Sequence, residues 1–87
     1  MIGYLQGKVT FIASDFCFID VHGVGYRVFI STSTRAKLKI NEEIKLFTYL
    51  SVREDAMLLY GFINQLEYDV FCKLISVSKI GPKAGLG

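Results

Sequence analysis

Apolar and polar positions alternate through the first two thirds of the chain, and the rhythm then changes. Residues 2–12 (IGYLQGKVTFI) and 16–21 (FCFIDV) are rich in β-branched and aromatic side chains and are separated by the turn-forming pair Ser14-Asp15. They predict the first two strands. His22-Gly23 makes a tight connection into a third strand, where Val24, Tyr26, Val28 and Ile30 recur with period two and share one face. The segment STSTRAKL predicts a short helical turn reaching Leu38, capped by Ser33 or Thr34 and followed by the polar Asn41-Glu42-Glu43. Ile44 to Ser51 predicts strand four, Val52 to Ala56 a turn, and Met57 to Phe62 strand five.

From Asn64 the period lengthens. Asn64 with Glu67 three residues on has the form of a capping box, and Leu66, Val70, Phe71, Leu74 and Ile75 form an apolar helical stripe. A helix to about Val77 is predicted. The whole pattern is mainly β: five antiparallel strands, with a helical element between the third and fourth, match the oligonucleotide/oligosaccharide-binding barrel, the OB-fold. Strand two is apolar on both sides, with Cys17, Ile19 and Val21 on one and Phe16 and Phe18 on the other. A small barrel needs only its inner face apolar, so the surplus predicts either a terminal helix packed outside or a subunit interface. Residues 1–63 are therefore expected to form the OB-fold domain, and residues 64–87 the truncated start of a second, helical one.

Composition narrows the class. The chain has 87 residues, 52% of them hydrophobic and 14% aromatic, which is too apolar for intrinsic disorder. No apolar run approaches the roughly 18 residues of a membrane span, and the N-terminal stretch lacks the features of an export leader. A cytoplasmic protein without membrane attachment is expected, with Cys17 and Cys72 as reduced, buried thiols. The net charge of +2 is a weak pointer to nucleic acid, but Lys73, Lys79 and Lys83 follow the last acidic residue, Asp69. An anionic partner would meet that end.

Two short stretches carry candidate chemistry. Ile80-Gly81-Pro82-Lys83 follows an amphipathic helix: glycine permits a tight turn, proline suits the first position of a following helix, and the free backbone N–H groups there hold phosphate with help from lysine. The plainer reading is a helix stop. Glu54 and Asp55 sit between two strand-like runs in SVREDAMLLYGF, residues 51–62. They are open to three readings: a solvated turn, acid/base or metal chemistry, and fixed negative charge that excludes phosphates. Side chains adjacent on a strand point apart and no third carboxylate stands nearby, which disfavours the second. His22 reads as a turn residue rather than a base, and one histidine with two distant cysteines makes no zinc site. No metal and no cofactor is expected. Tyr4, Tyr26, Phe47 and Tyr49 are candidates for stacking bases or for packing the core.

Taken together, Met1-Ile2-Gly3, Asp20 to Tyr26 (DVHGVGY), Val52 to Phe62 (VREDAMLLYGF) and Phe71 to Ile75 leading into Ile80-Gly81-Pro82-Lys83 resemble the RuvA family of bacterial Holliday-junction-binding proteins. The resemblance covers essentially all of this chain and only the front of the family's protein. It implies a non-enzymatic homotetramer that holds a four-way DNA junction open and loads the RuvB motor ATPase for branch migration in recombination and repair, with the RuvC resolvase as a further partner. It implies that Glu54 and Asp55 form an acidic pin at the junction centre. It assigns Lys79, Gly81, Pro82 and Lys83 to a phosphate-binding helix-hairpin-helix turn. The third domain, which contacts RuvB in that family, is missing, so the chain is expected to be a fragment. Departures are visible too: Lys79 stands where the family usually has glycine, and Tyr4 and Gln6 replace basic residues often found near the start. The alternatives are a general OB-fold binder of single strands and, more distantly, a carboxylate-based nuclease.

Overall fold

Strand β1 (Tyr4–Ile12) closes the barrel, because it pairs with β2 (Phe16–Val21) along one edge and with β4 (Glu43–Val52) along the other. β3 (Val24–Phe29) pairs with β2 and with β5 (Met57–Phe62), so the order round the ring is β1-β2-β3-β5-β4. A short helix, α1 (Thr32–Lys37), links β3 to β4, and α2 (Gln65–Ser78) follows β5. The computed structural model describes residues 2–78. The OB-fold expectation holds with one amendment: β3 and β5 run parallel, with Val28 opposite Leu59 and Phe29 opposite Tyr60. The reason is arithmetic. Strands in a closed ring can alternate in direction throughout only if their number is even, so a five-stranded ring must contain a parallel pair.

Local chemistry sets the connections. The β2–β3 hairpin turns on His22 at φ 52° and Gly23 at φ 90°, the paired left-handed residues of a two-residue turn whose twist suits the flanking strands. Asp20 Oδ1 accepts from the Gly23 N–H at 2.8 Å and holds it. Ser31, rather than Ser33 or Thr34, caps α1: its side chain accepts from the Thr34 N–H at 3.2 Å. Thr34 is instead buried against the barrel end, with Ser31 Oγ 3.2 Å from its hydroxyl. α2 starts as expected, since Asn64 Oδ1 accepts from the Glu67 N–H at 2.9 Å.

The barrel interior holds Leu5, Val9, Cys17, Ile19, Val28, Ile30, Leu38, Leu46 and Leu59. Val9, Ile19, Val28 and Leu46 are completely buried, each worth about 1.5–3 kcal/mol of transfer free energy. Val24, expected on the same face as Val28, is more than half exposed because it lies at the mouth of the hairpin. Gly7 and Gly61 also point inward, where the strands approach too closely for a side chain. A Cβ on Gly61 would sit 2.5 Å from Cγ1 of Val28, and one on Gly7 would run into the backbone carbonyl of Asp20.

Outside the barrel, α2 lies on β4 and β5 and creates a second, aromatic core. Phe71 stacks 4.7 Å from Phe62 and 5.8 Å from Tyr60, Tyr49 meets Phe71 edge-on at 5.4 Å, and Tyr68 meets Phe62 edge-on at 6.0 Å. Only part of the predicted stripe is used. Phe71 and Ile75 pack inward together with Tyr68, while Leu66, Val70 and Leu74 stay exposed on the flank of the helix. The phenol of Tyr68 reads as polar in a sequence, yet its ring supplies the contact that the pattern assigned to Leu66 and Val70.

The two cysteines are separate and unbonded, Cys17 buried inside the barrel and Cys72 only half-buried on α2. Burial pushes the Cys17 thiol up to about 11. Its folded-state value thus exceeds the unfolded one, so its contribution to stability is complete below the unfolded value near 9 and is lost as pH rises toward 11. Chemical denaturation should show falling stability across that window, less steeply for Cys17→Val, and alkylation of the native protein should label Cys72 before Cys17. Separately, Gly7→Ala should cost about 2–3 kcal/mol, because a strand carbonyl cannot yield as a flexible side chain can. A denaturation midpoint within error of the parent would remove the packing role assigned to Gly7.

Candidate nucleic-acid interface

β4 and β5 pair from Phe47 opposite Phe62 down to Val52 opposite Met57, and the chain reverses in residues 53–56. The Arg53 N–H donates to the Ala56 carbonyl at 2.8 Å and closes the turn. Glu54 and Asp55 occupy its tip with both side chains exposed. The flanking Val52 and Met57 are 67% and 69% exposed, high for apolar side chains at the end of a strand pair. Among the described residues, no third histidine, cysteine or acidic side chain joins this pair in a metal-binding cluster. What the turn offers chemically is two adjacent, exposed negative charges on a hydrogen-bonded hairpin turn. Lys79, Gly81, Pro82 and Lys83, the expected phosphate-binding residues, lie outside the described residues.

Just below the turn, Tyr60 is fully buried and its hydroxyl has no hydrogen-bond partner among the described residues. Desolvation raises its phenol above the ordinary value, with the positive charge of Arg53 acting weakly in the opposite sense. An unmatched buried hydroxyl is a net cost, so Tyr60→Phe should leave stability unchanged or raise it by about 1 kcal/mol. A loss of stability on denaturant titration would reveal a partner for that oxygen.

A second surface begins beside the turn and runs over β3, β2 and β1. Strict alternation from Val9 would place Phe11 inside, but a β-bulge between Val9 and Phe11 shifts the register and turns Phe11 outward, opposite Phe18. Phe11, Phe16 and Phe18 form a ring cluster with centroids 5.3–6.0 Å apart, and Phe16 continues to Phe29 at 6.1 Å. The Arg27 guanidinium lies 5.1 Å over the Phe16 ring. Phe18, Gly25, Arg27, Phe29, Met57 and Leu58 line an open dent in this face. α2 covers the β4–β5 side of the barrel, and the surplus apolar surface of strand two, Phe16 and Phe18, lies on the β1–β2–β3 side away from it. Sequence reasoning missed Phe11 and Arg27, because a bulge leaves no period in the sequence and a lone arginine leaves no motif.

The candidate stacking residues are not gathered at one place. Tyr49 is committed to Phe71 and Tyr26 packs against the barrel core, whereas Tyr4 remains 55% exposed on the β1–β4 ladder opposite Phe47. Lys45, opposite Gln6, reaches back so that its ammonium lies 4.5 Å from the Tyr4 ring centroid and 5.2 Å from that of Phe47. Positive charge at this position comes from β4 rather than from the start of β1.

A closed five-stranded barrel of this order, with a charged β4–β5 turn and a helix laid outside, defines an OB-fold domain. The chain belongs to the RuvA N-terminal domain family, whose profile matches residues 1–61. It is similar to proteins called Holliday junction branch migration complex subunit RuvA from several bacteria. The one from Acetivibrio thermocellus is 47% identical over 87 residues, covering 99% of this chain and 43% of the relative. Those from Symbiobacterium thermophilum and Alkaliphilus oremlandii are 47% and 45% identical, with 42% and 45% of their lengths covered. The chain therefore spans less than half the length of the curated relatives it matches. No helix among the described residues is long and apolar enough to cross a membrane.

Proposed function

We propose that this chain is the OB-fold portion of a cytoplasmic, non-catalytic subunit that binds four-way junction DNA during branch migration, with Glu54 and Asp55 as an acidic pin at the crossover. The observation that carries the reading is the exposed carboxylate pair on the closed β4–β5 turn, in a chain whose relatives are called branch migration complex subunits. In a homotetramer, four such turns bring about eight carboxylates to one axis. Unit charges some 10 Å apart repel by only about 0.4 kcal/mol at the dielectric of water. Summed over several phosphates, and less screened where protein displaces solvent, the repulsion reaches several kcal/mol and keeps the crossing strands apart without reading sequence.

Repulsion at the centre requires attraction along the arms. That is the role proposed for Lys79, Lys83 and the Gly81-Pro82 backbone, whose phosphate contacts fix register without specifying bases. The RuvB motor and the RuvC resolvase are proposed partners of the complete protein. A general single-strand-binding role is less well supported, since two of the four candidate stacking rings are packed against the protein itself.

The test is a titration of this chain, and of its Glu54→Gln/Asp55→Asn variant, against a labelled four-way junction and an equal-length duplex at two salt concentrations. The parent should prefer the junction, and the variant should bind duplex more tightly and lose much of that preference. A preference unchanged by neutralisation would end the pin assignment.

A further inference from the structure

We infer that Tyr4 and Phe47, with Lys45 over both rings, form a stacking site for the bases of an unpaired DNA strand on the outer face of the β1–β4 ladder. The inference rests on the junction-binding reading, because strands that exchange partners between arms leave bases unpaired. It adds a contact with bases, where the acidic turn offers repulsion only.

Strand register builds the site. Tyr4 lies directly opposite Phe47 and Gln6 opposite Lys45, so the two rings and the cation share one outward face. Tyr4 is 55% exposed and Phe47 half-buried, and among the described residues neither joins the aromatic core under α2. The Lys45 ammonium lies 4.5 Å from one ring centroid and 5.2 Å from the other, and it makes no ion pair among the described residues. Flat apolar rings and an available cation are what a groove uses to hold a single strand: the rings take the base faces and the cation takes the backbone.

Charge and size favour this occupant. No acidic residue precedes Asp15, so β1 carries no carboxylate, and Lys8 continues the basic character of its outer face two residues beyond Gln6. Glu43 lies across from Lys8 rather than beside the rings. A protein partner needs roughly 800 Å² on each side, far more than two rings and a lysine offer. A duplex fits no better, because its bases already cover one another's faces. Only an unpaired base has a face free to lie on a ring. Phe47 stands five residues before Val52 on β4, about 17 Å along the strand, so DNA displaced at the turn lies within a few nucleotides of the rings.

In the free chain the ammonium itself occupies the rings. A base that lands there displaces it, and the flexible four-carbon stem carries the charge to the adjoining phosphate. The exchange favours the base, since an exposed cation–π contact is weaker than a base stack.

Fluorescence anisotropy of a labelled thymidine oligonucleotide, and of a duplex of equal length, titrated with the whole chain tests the site. Tyr4→Ala should weaken oligonucleotide binding about tenfold at every salt concentration and leave duplex binding unchanged, while Tyr4→Phe should keep the parent's affinity. Lys45→Gln, which leaves both rings in place, should lower the slope of log affinity against log salt by about 0.7. Both positions are exposed, so the barrel folds in each variant. A parent that binds no oligonucleotide, equal affinities for parent and Tyr4→Ala, or an equal loss of oligonucleotide and duplex binding would overturn the site. The two readings fail separately. A parent that prefers the junction yet ignores the oligonucleotide removes the stacking site alone. Oligonucleotide binding that needs Tyr4, beside a junction preference indifferent to Glu54 and Asp55, removes the pin alone.

Discussion

The structure depends on closing an odd number of strands into a ring. β1 must satisfy two neighbours, β2 and β4, and β3 must accept β5 in parallel. Both demands bring neighbouring strands close together, and Gly7 and Gly61 stand where a side chain would not fit. Closure also removes free sheet edges, so a chain this short hides its backbone hydrogen-bonding groups without a second sheet. The β4–β5 hairpin extends from this ring. Its strands pair with each other from Phe47 opposite Phe62 to Val52 opposite Met57, and the turn stands at the end of that ladder.

Closure divides the apolar residues into three populations. The interior takes the aliphatic set around Val9, Ile19, Val28 and Leu46. The β4–β5 exterior takes a nearly all-aromatic set under α2, where large flat rings bridge between a sheet and a helix. The β1–β2–β3 exterior receives Phe16 and Phe18, and the bulge after Val9 adds Phe11 to them. The acidic turn lies at the border between the second and third populations, with Tyr60 beneath it and Met57 beside it. Charge at the tip and apolar surface on the flank are thus neighbours, and the proposed exclusion of DNA draws on the charge.

Much of this was legible in the residues. Period-two runs located every strand to within a residue or two, His22-Gly23 announced its turn, and Asn64 announced the start of α2. The acidic pair could be placed at a hairpin tip because its flanking runs were unmistakable. The cap of α1 was misplaced by two or three residues because STST offers several hydroxyls, and only the burial of Thr34 decides that Ser31 takes the role. The helix stripe was overdrawn because residues on a helix flank and residues on its buried face share the same composition when both are apolar.

What the sequence by itself determined was therefore local: strand and helix positions, turn chemistry, and the type of charge at each tip. These follow from the period of side-chain direction and from backbone preferences that act within a few residues. Tertiary structure alone decided the parallel β3–β5 pairing, the outward rotation of Phe11, the stack of Arg27 on Phe16 and the choice of Tyr68 over Leu66 beneath α2. Each of these depends on which distant strand lies alongside. A ring of five fixes that through geometry, and no short stretch of residues contains it.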